Sequence, residues 1–230
     1  MGKREGSWIQ TYTGKKFWPL DPKCSEISIF DIAHSLSLLS RFNGHTTKFL
    51  SVAQHSVMVS DMCSSQYKIH GLLHDASEAY CCDIPSPLKP YIPGYLEIEE
   101  KIQKVIFSKY GLIYEDIKHV KSVDKYILAT EARDLCVNYE AMNLPNKPYE
   151  DIKIEPWPSE RAEKIFIEKF NKLQENIIGR SFGDFIVLEK IKSGQFLCEC
   201  TRCYNSNIIF ESGLYSDKYI SCHKCKWENK

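Results

Sequence analysis

Apolar residues recur at helical spacing through most of the first 176 residues of the chain. A helix is predicted to begin at Ser28, where Asp31 follows three residues later in a motif that resembles a capping box. Further helices are predicted over residues 49–63, 67–80, 95–110, 116–137 and 159–176. Pro85 and Pro87 are expected to end the helix over 67–80, since Pro disfavours a helix both before it and within it.

The pattern changes from Gly179 onwards. Short β-type runs separated by Gly, Asn and Ser lie at residues 185–188, 195–198 and 207–210. We therefore predict a mainly α chain in two parts, a helical domain of residues 1–178 and a small β-rich module of residues 179–230.

Composition narrows the class of protein. The 230 residues are 43% hydrophobic and 26% charged with zero formal net charge, so bulk charge predicts no attraction to nucleic acid or membrane. No uninterrupted apolar stretch reaches the length of a membrane span. The first residues lack the apolar run of a signal peptide, and we therefore expect a cytoplasmic protein.

Four residues on the predicted helices have the side chains of a metal site. His55, the adjacent pair His74 and Asp75, and Asp124 follow the order H…HD…D. Two imidazoles and two carboxylates can hold one divalent ion, and this mixed set does not choose among Mn, Co, Mg, Fe and Zn. The side chains of consecutive residues on a helix point about 100° apart. His74 and Asp75 can therefore share an ion only if it lies between the two directions in which they point.

Glu78 lies on the same helix face as the metal pair, at i+4 from His74 and i+3 from Asp75. A carboxylate there could orient the attacking water or deliver a proton to the leaving oxygen. A single His on a helix is more often structural. The full ligand order with Glu78 beside it favours a metal site in which the ion acidifies water and neutralises phosphoryl charge.

Several stretches of the chain resemble the HD-domain phosphohydrolases of bacteria and phages, such as the 5′-deoxynucleotidases and the dNTP triphosphohydrolases. The resemblance covers about residues 10–175 and is carried by residues 17–22, 31–36, 40–46, 51–56, 72–80, 83–89 and 130–135. It implies an HD-domain helical bundle in which His55, His74, Asp75 and Asp124 bind one divalent metal. It also implies that Glu78 orients water or transfers a proton, and that Asp83 contacts the sugar or the leaving oxygen.

The same resemblance points to substrate-binding residues. Arg41 lies close to where the deoxynucleotidases carry an Arg that grips the phosphate, and a guanidinium fork suits phosphate; the alternative is a surface charge at a helix end. Phe42 replaces the Trp that packs on the base in those enzymes. Trp18 is a candidate for the base pocket, with core packing as the alternative. Lys89 is a candidate for further phosphate contact, or a solvated charge.

The last part of the chain contains a second metal motif. Cys200 and Cys203, then Cys222 and Cys225, form a CxxC…CxxC pattern with eighteen residues between the pairs, which predicts a closed structural zinc site. Cys198 allows an alternative ligand set. The module is also similar to phage-type zinc-ribbon-like modules, although less closely.

These observations predict a metal-dependent phosphohydrolase that acts on deoxynucleotides, as a dNMP 5′-nucleotidase or a dNTP triphosphohydrolase. The alternatives are a phosphodiesterase for a cyclic or signalling nucleotide, and a nucleic-acid-binding protein that acts through residues 179–230. That module carries eight Lys and Arg against six Asp and Glu, a modest excess of positive charge. A homo-oligomer contact is at least as well supported as nucleic acid.

Overall fold

A computed structural model describes residues 4–174, 177–192, 195–210, 214, 222 and 225. A short hairpin, β1 (Ile9–Gln10) and β2 (Lys16–Phe17), precedes the helices. The helices are α1 (Ile29–Leu38), α2 (Val52–Met62), α3 (Lys68–Leu73), α4 (Glu78–Cys81), α5 (Tyr95–Lys109), α6 (Lys121–Leu135) and α7 (Ser159–Gln174). The strands that follow are β3 (Ser181–Phe182), β4 (Phe185–Lys192), β5 (Gln195–Cys200) and β6 (Ser206–Phe210).

Helix α2 lies at the centre of the helical part and packs against α1, α3, α6 and α7. Its Val and Ala residues are buried, as are large side chains from the surrounding elements, among them Phe17, Phe107 and Phe166. This environment also buries polar residues of α2 such as His55. A polar side chain there needs a partner, because an unpaired buried polar group costs free energy.

The start of α1 differs in detail from the prediction. The helix begins directly after Ser28, but the Ser28 side chain makes no capping hydrogen bond. Asp31 instead accepts hydrogen bonds from the Thr13 backbone N–H at 2.6 Å and the Thr13 hydroxyl at 3.0 Å. The carboxylate predicted for a capping box therefore ties the β1–β2 hairpin to α1.

The predicted helix over 67–80 is wrong as one continuous element, because α3 ends at Leu73 and α4 begins at Glu78. The Gln103 side chain from α5 fills the break. Its amide donates to the Leu73 carbonyl at 2.7 Å and accepts from the Ser77 backbone N–H at 2.9 Å. These two backbone groups would pair with each other in an unbroken α-helix. Residues 74–77 consequently form a turn between the two helices, and this turn carries His74 and Asp75.

The C-terminal part is an antiparallel sheet with strand order β3-β4-β5-β6. Alternate residues of β5, Phe196, Cys198 and Cys200, are buried on one face. Gly111, in the loop after α5, has φ +65° and lies against the Phe182 ring, where a Cβ atom would come within 2.6 Å. Only Gly suits that approach.

The predicted fold is confirmed in part: among the described residues, seven α-helices lie within residues 29–174, and a small β part with a cysteine cluster follows. The predicted domain boundary between residues 178 and 179 stays a prediction. None of the helices in the described ranges is long and apolar enough to cross a membrane.

Candidate metal centre

Three parts of the fold bring the predicted ligands together: α2 with His55, the α3–α4 turn with His74 and Asp75, and α6 with Asp124. The Nε2 atom of His55 lies 3.3 Å from Nε2 of His74 and 3.2 Å from a carboxylate oxygen of Asp124. An Asp75 oxygen lies 3.1 Å from Nε2 of His74 and 3.6 Å from Nε2 of His55.

These separations fit one divalent ion. Ligand atoms about 2.1 Å from a metal are about 3.0–3.4 Å apart when they are neighbours in octahedral or tetrahedral geometry. His55, His74 and Asp124 each offer an atom within 4.8 Å of the others. Asp75 reaches both imidazoles. The four residues could therefore hold one ion with small adjustments of their side chains.

Both imidazoles are held by their other nitrogen. Nδ1 of His74 is 2.8 Å from the Gly71 carbonyl, and Nδ1 of His55 is 2.7 Å from an oxygen of Glu131. An oxygen acceptor at Nδ1 favours the tautomer that leaves the Nε2 lone pair available for a metal. The partners outside the cluster thus aim both Nε2 atoms at one point.

The charges of the cluster attract cations. Burial lowers the pKa of His74, but Asp75 and Asp124 outweigh it and hold that pKa well above the usual value. Burial raises the pKa of Asp75, yet the neighbouring His74 imidazolium brings it down to about 2. The pKa of Asp124 is also lowered, against burial, by hydrogen bonds to His55 and His74. Protons on the imidazoles supply the positive charge that a divalent ion would supply in the loaded site.

Glu78, at the first position of α4, is 4% exposed, and its Oε2 atom has no hydrogen-bond partner among the described residues. Burial raises the pKa of Glu78 well above its usual value, and the nearby charges of Asp75 and Asp83 add to the rise. A protonated Glu78 is a proton donor. Burial likewise raises the pKa of Asp83, against the opposing charge of Arg41.

Lys89 lies beside this pair of carboxyl groups. Its ammonium is 2.7 Å from Glu99 and 3.5 Å from Glu78. A cleft of about 290 Å³ is lined by Lys89 and Glu99 together with His74 and Asp75. Lys89 is therefore at the candidate site, and its ion pair with Glu99 fixes its position.

Arg41 also reaches the site. Its guanidinium lies 3.4 Å from Glu131 and 4.0 Å from Asp83. Burial opposes the charged guanidinium, but Glu131, Asp75 and other carboxylates keep its pKa above the usual value. Phe42 follows with φ 53° and ψ 30°, a left-handed conformation that is uncommon for an aromatic residue. Its ring is 5.8 Å from the Arg41 guanidinium carbon.

Trp18 makes its ring contacts at the N-terminal hairpin. The Trp8 ring is 6.4 Å away, centroid to centroid, and the Arg4 guanidinium carbon is 4.2 Å above the Trp18 ring. Trp18 is half-buried, so these contacts are not the core packing given as the alternative to a base pocket. Its role in a base pocket stays a prediction.

The four cysteines of the second motif converge in the C-terminal part. Sγ of Cys200 is 3.6 Å from Sγ of Cys225, and Sγ of Cys203 is 3.8 Å from Sγ of Cys222. A tetrahedron with Zn–S bonds of about 2.3 Å has edges of about 3.8 Å. The cluster could therefore hold a structural metal such as zinc.

Cys198 is not part of this cluster. It is fully buried in the core of the sheet, and its thiol points to the Phe196 carbonyl at 3.8 Å. Burial raises the pKa of Cys198 to about 11, which disfavours the thiolate that a metal requires. The alternative ligand set with Cys198 is therefore wrong in this structure.

Comparison with known proteins identifies relatives but no activity. No family model matches the chain. The uncharacterized protein YfdR of Escherichia coli (strain K12) is 42% identical over 172 residues, which are 74% of this chain and 97% of YfdR. This chain belongs to the family of YfdR. The uncharacterized protein RCAP_rcc00048 of Rhodobacter capsulatus is 33% identical over 116 residues, 46% of this chain and 59% of that protein.

Glu131 was not among the site residues predicted from the sequence. Glu131 lies seven residues after Asp124, about two helical turns, so both face the same side of α6. That spacing was a usable signal. The contribution of Gln103 left no such signal, because it depends on how α5 packs against the α3–α4 turn.

Proposed function

We propose that this chain is a metal-dependent phosphohydrolase for deoxynucleotides, with its helices arranged as in the HD-domain enzymes. The observation that supports the proposal is the convergence of the His55 and His74 Nε2 atoms with Asp75 and Asp124, beside the buried Glu78. A divalent ion bound there supplies acidification of the attacking water and neutralisation of phosphoryl charge.

The proposal gives one role each to Glu78, Arg41 and Asp83. The buried Glu78 keeps its proton and donates it to the leaving oxygen of the sugar. Arg41, held by Glu131 and Asp83, presents its guanidinium to the phosphate oxygens. Asp83, next to Arg41, is placed to accept a hydrogen bond from the sugar.

The charges at the site favour a monophosphate over a triphosphate. Among the described residues, Arg41 and Lys89 lie beside the ligands, and both are already paired with carboxyl groups. A triphosphate carries about four negative charges, and because carboxylates already offset these two cations, one divalent ion leaves much of that charge unbalanced. We therefore place dNMP hydrolysis ahead of dNTP hydrolysis.

The test is a substrate panel. Metal-free protein is supplied with Mn²⁺, Co²⁺ or Mg²⁺ and offered dNMPs, rNMPs, dNTPs, cyclic nucleotides and signalling nucleotides. Release of phosphate from dNMPs is expected, with Arg41→Lys raising KM because an ammonium cannot hold phosphate bidentately. The matched control is Arg161→Lys, at an Arg that stacks over Trp157. Hydrolysis of cyclic nucleotides alone supports the phosphodiesterase alternative, and no hydrolysis by metal-loaded protein contradicts the proposal.

We also propose that the cysteine cluster holds zinc as a stabilising element. The Asp184 carboxylate accepts from the Cys222 backbone N–H at 3.2 Å, and Arg202 pairs with the same carboxylate at 2.9 Å. The Arg202 backbone N–H in turn donates to Sγ of Cys200 at 3.4 Å. Donors at a thiolate and a closed set of four sulfur ligands are typical of structural sites.

A further inference from the structure

Glu131 is a fully buried carboxylate with partners on two sides. It lies on α6 with no exposed surface, and one oxygen is 2.7 Å from Nδ1 of His55, which is also fully buried. Its other oxygen is 3.4 Å from both Nε and Nη2 of Arg41. A buried carboxylate without such partners would be strongly destabilising.

The two partners belong to different halves of the proposed chemistry. His55 turns Nε2 toward Asp124 and His74, at the point where the ligand atoms converge. Arg41 extends past Glu131 toward Asp83, with 4.0 Å between Nη1 and the carboxylate. One carboxylate therefore restrains the imidazole that would hold the metal and the guanidinium that would hold the phosphate.

We propose that Glu131 is a positioning residue that couples metal binding to phosphate binding. It accepts the Nδ1 proton of His55, so that Nε2 keeps its lone pair for the metal, and it holds Arg41 over the same site. The coupling rests on the proposed function. The restraint on His55, however, is a property of the protein before any substrate arrives.

Glu131→Gln is the most informative change because the two side chains have nearly the same shape. A carboxylate accepts from His55 and from Arg41 at once. An amide has one oxygen, so its NH₂ group must face one of the two donors. The variant therefore keeps the volume of Glu131 and loses at least one of its restraints.

The experiment measures Mn²⁺ affinity by calorimetry with the cysteine cluster already loaded with zinc, then the affinity of the Mn²⁺-loaded protein for inorganic phosphate. Metal affinity of Glu131→Gln is expected to fall about 10- to 100-fold, the usual effect of removing such a partner, and phosphate affinity is expected to fall with it. Arg41→Ala is expected to weaken phosphate binding while metal affinity changes much less. In the NMR spectrum of the Zn²⁺-loaded protein, the hydrogen-bonded Nδ1 proton of His55 should shift or disappear in Glu131→Gln.

Thr130→Val controls for a general loss of stability. Thr130 is equally buried on α6 and makes hydrogen bonds with Tyr126 and Tyr149, away from His55. The metal affinity of Thr130→Val should stay near that of the wild type. Glu131→Asp, which keeps the charge but shortens the side chain, provides a second variant if Glu131→Gln does not fold, and it too should bind metal more weakly.

The outcomes separate this inference from the proposed function. Wild-type metal and phosphate affinities in the Glu131 variants overturn the inference even if the protein hydrolyses dNMPs. Equal losses in Thr130→Val also overturn it. Weaker metal binding in Glu131→Gln, in a protein that hydrolyses no nucleotide, supports the restraint on His55 while the proposed function fails.

Discussion

Replacing Gln103 by Met tests whether the break between α3 and α4 shapes the metal site. Gln103 is 3% exposed, and its amide bonds to the Leu73 carbonyl and the Ser77 N–H on either side of His74 and Asp75. Met has a similar length and volume and cannot make either hydrogen bond. The change therefore removes the bonds with little change in packing.

The magnitude follows from these two hydrogen bonds. The Leu73 carbonyl still accepts from the Ala76 backbone N–H at 3.1 Å, but the buried Ser77 N–H loses its acceptor, so the free energy of unfolding should fall by about 1–3 kcal/mol. For a protein of this size that corresponds to a decrease in Tm of about 2–12 °C. If Leu73 and Ser77 pair with each other instead, the helix closes and part of this stability returns. His74 and Asp75 lie between the two lost bonds, so either outcome shifts them relative to His55 and Asp124, and metal affinity is expected to fall.

The assay combines thermal unfolding of the metal-free protein with calorimetric titration of Mn²⁺. Gln66→Met is the matched control, because Gln66 is exposed on the short turn before α3. Wild-type metal affinity in Gln103→Met would refute the reasoning, whatever happens to Tm. A loss of similar size in Gln66→Met would assign the effect to the Met side chain.

Three further predictions concern Glu78, Cys82 and Cys203. Burial, with the charges of Asp75 and Asp83, raises the pKa of Glu78, so the hydrolysis rate should fall as pH rises through that pKa. Glu78→Gln should lose this alkaline limb and about 10²- to 10⁴-fold in kcat, as measured by initial rates across pH. Cys82 has φ 72° and ψ 154°, a region open mainly to Gly, so Cys82→Gly should raise stability by about 0–2 kcal/mol in thermal unfolding. Cys203→Ser should lower zinc content and the Tm of the protein, as read by metal analysis and calorimetry.

Each of these predictions has a matched control. For Glu78 it is Glu168→Gln, an exposed carboxylate on α7, and an unchanged pH profile in Glu78→Gln contradicts the assigned role. For Cys82 it is Cys82→Ser, which keeps the Cβ atom; equal stability of the Gly and Ser variants refutes the strain argument. For Cys203 it is Cys198→Ala, which should retain zinc because Cys198 lies outside the cluster. Full zinc content in Cys203→Ser would contradict the proposal that Cys203 is a zinc ligand.

The sequence was sufficient to predict most helices because their apolar residues recur with the period of one buried face. Helix α2, predicted over 49–63, runs from Val52 to Met62, and α5, predicted over 95–110, runs from Tyr95 to Lys109. Periodicity reports burial, which local sequence determines well. It does not report which side chain of another helix will replace a backbone hydrogen bond, and so the break filled by Gln103 was missed.

The candidate site shows the same limit. The ligand order of His55, His74 and Asp124 predicted which residues come together. The partner of His55 depends on how α6 rotates against α2, and Glu131 was accordingly not predicted as that partner. Cys198 belongs to the same alternating strand face as Cys200, yet only Cys200 points into the sulfur cluster. Spacing along a chain restricts such choices, and packing decides them.

The most direct test of the account is phosphate release from dNMPs by protein stripped of metal and then titrated with Mn²⁺. We predict that the stripped protein is inactive and that the rate rises in proportion to occupancy of one site containing His55 and His74. We predict the same binding in Glu78→Gln, with turnover reduced about 10²- to 10⁴-fold. The account is contradicted if phosphate release does not depend on the metal. It is also contradicted if one ion is bound per site and no dNMP releases phosphate.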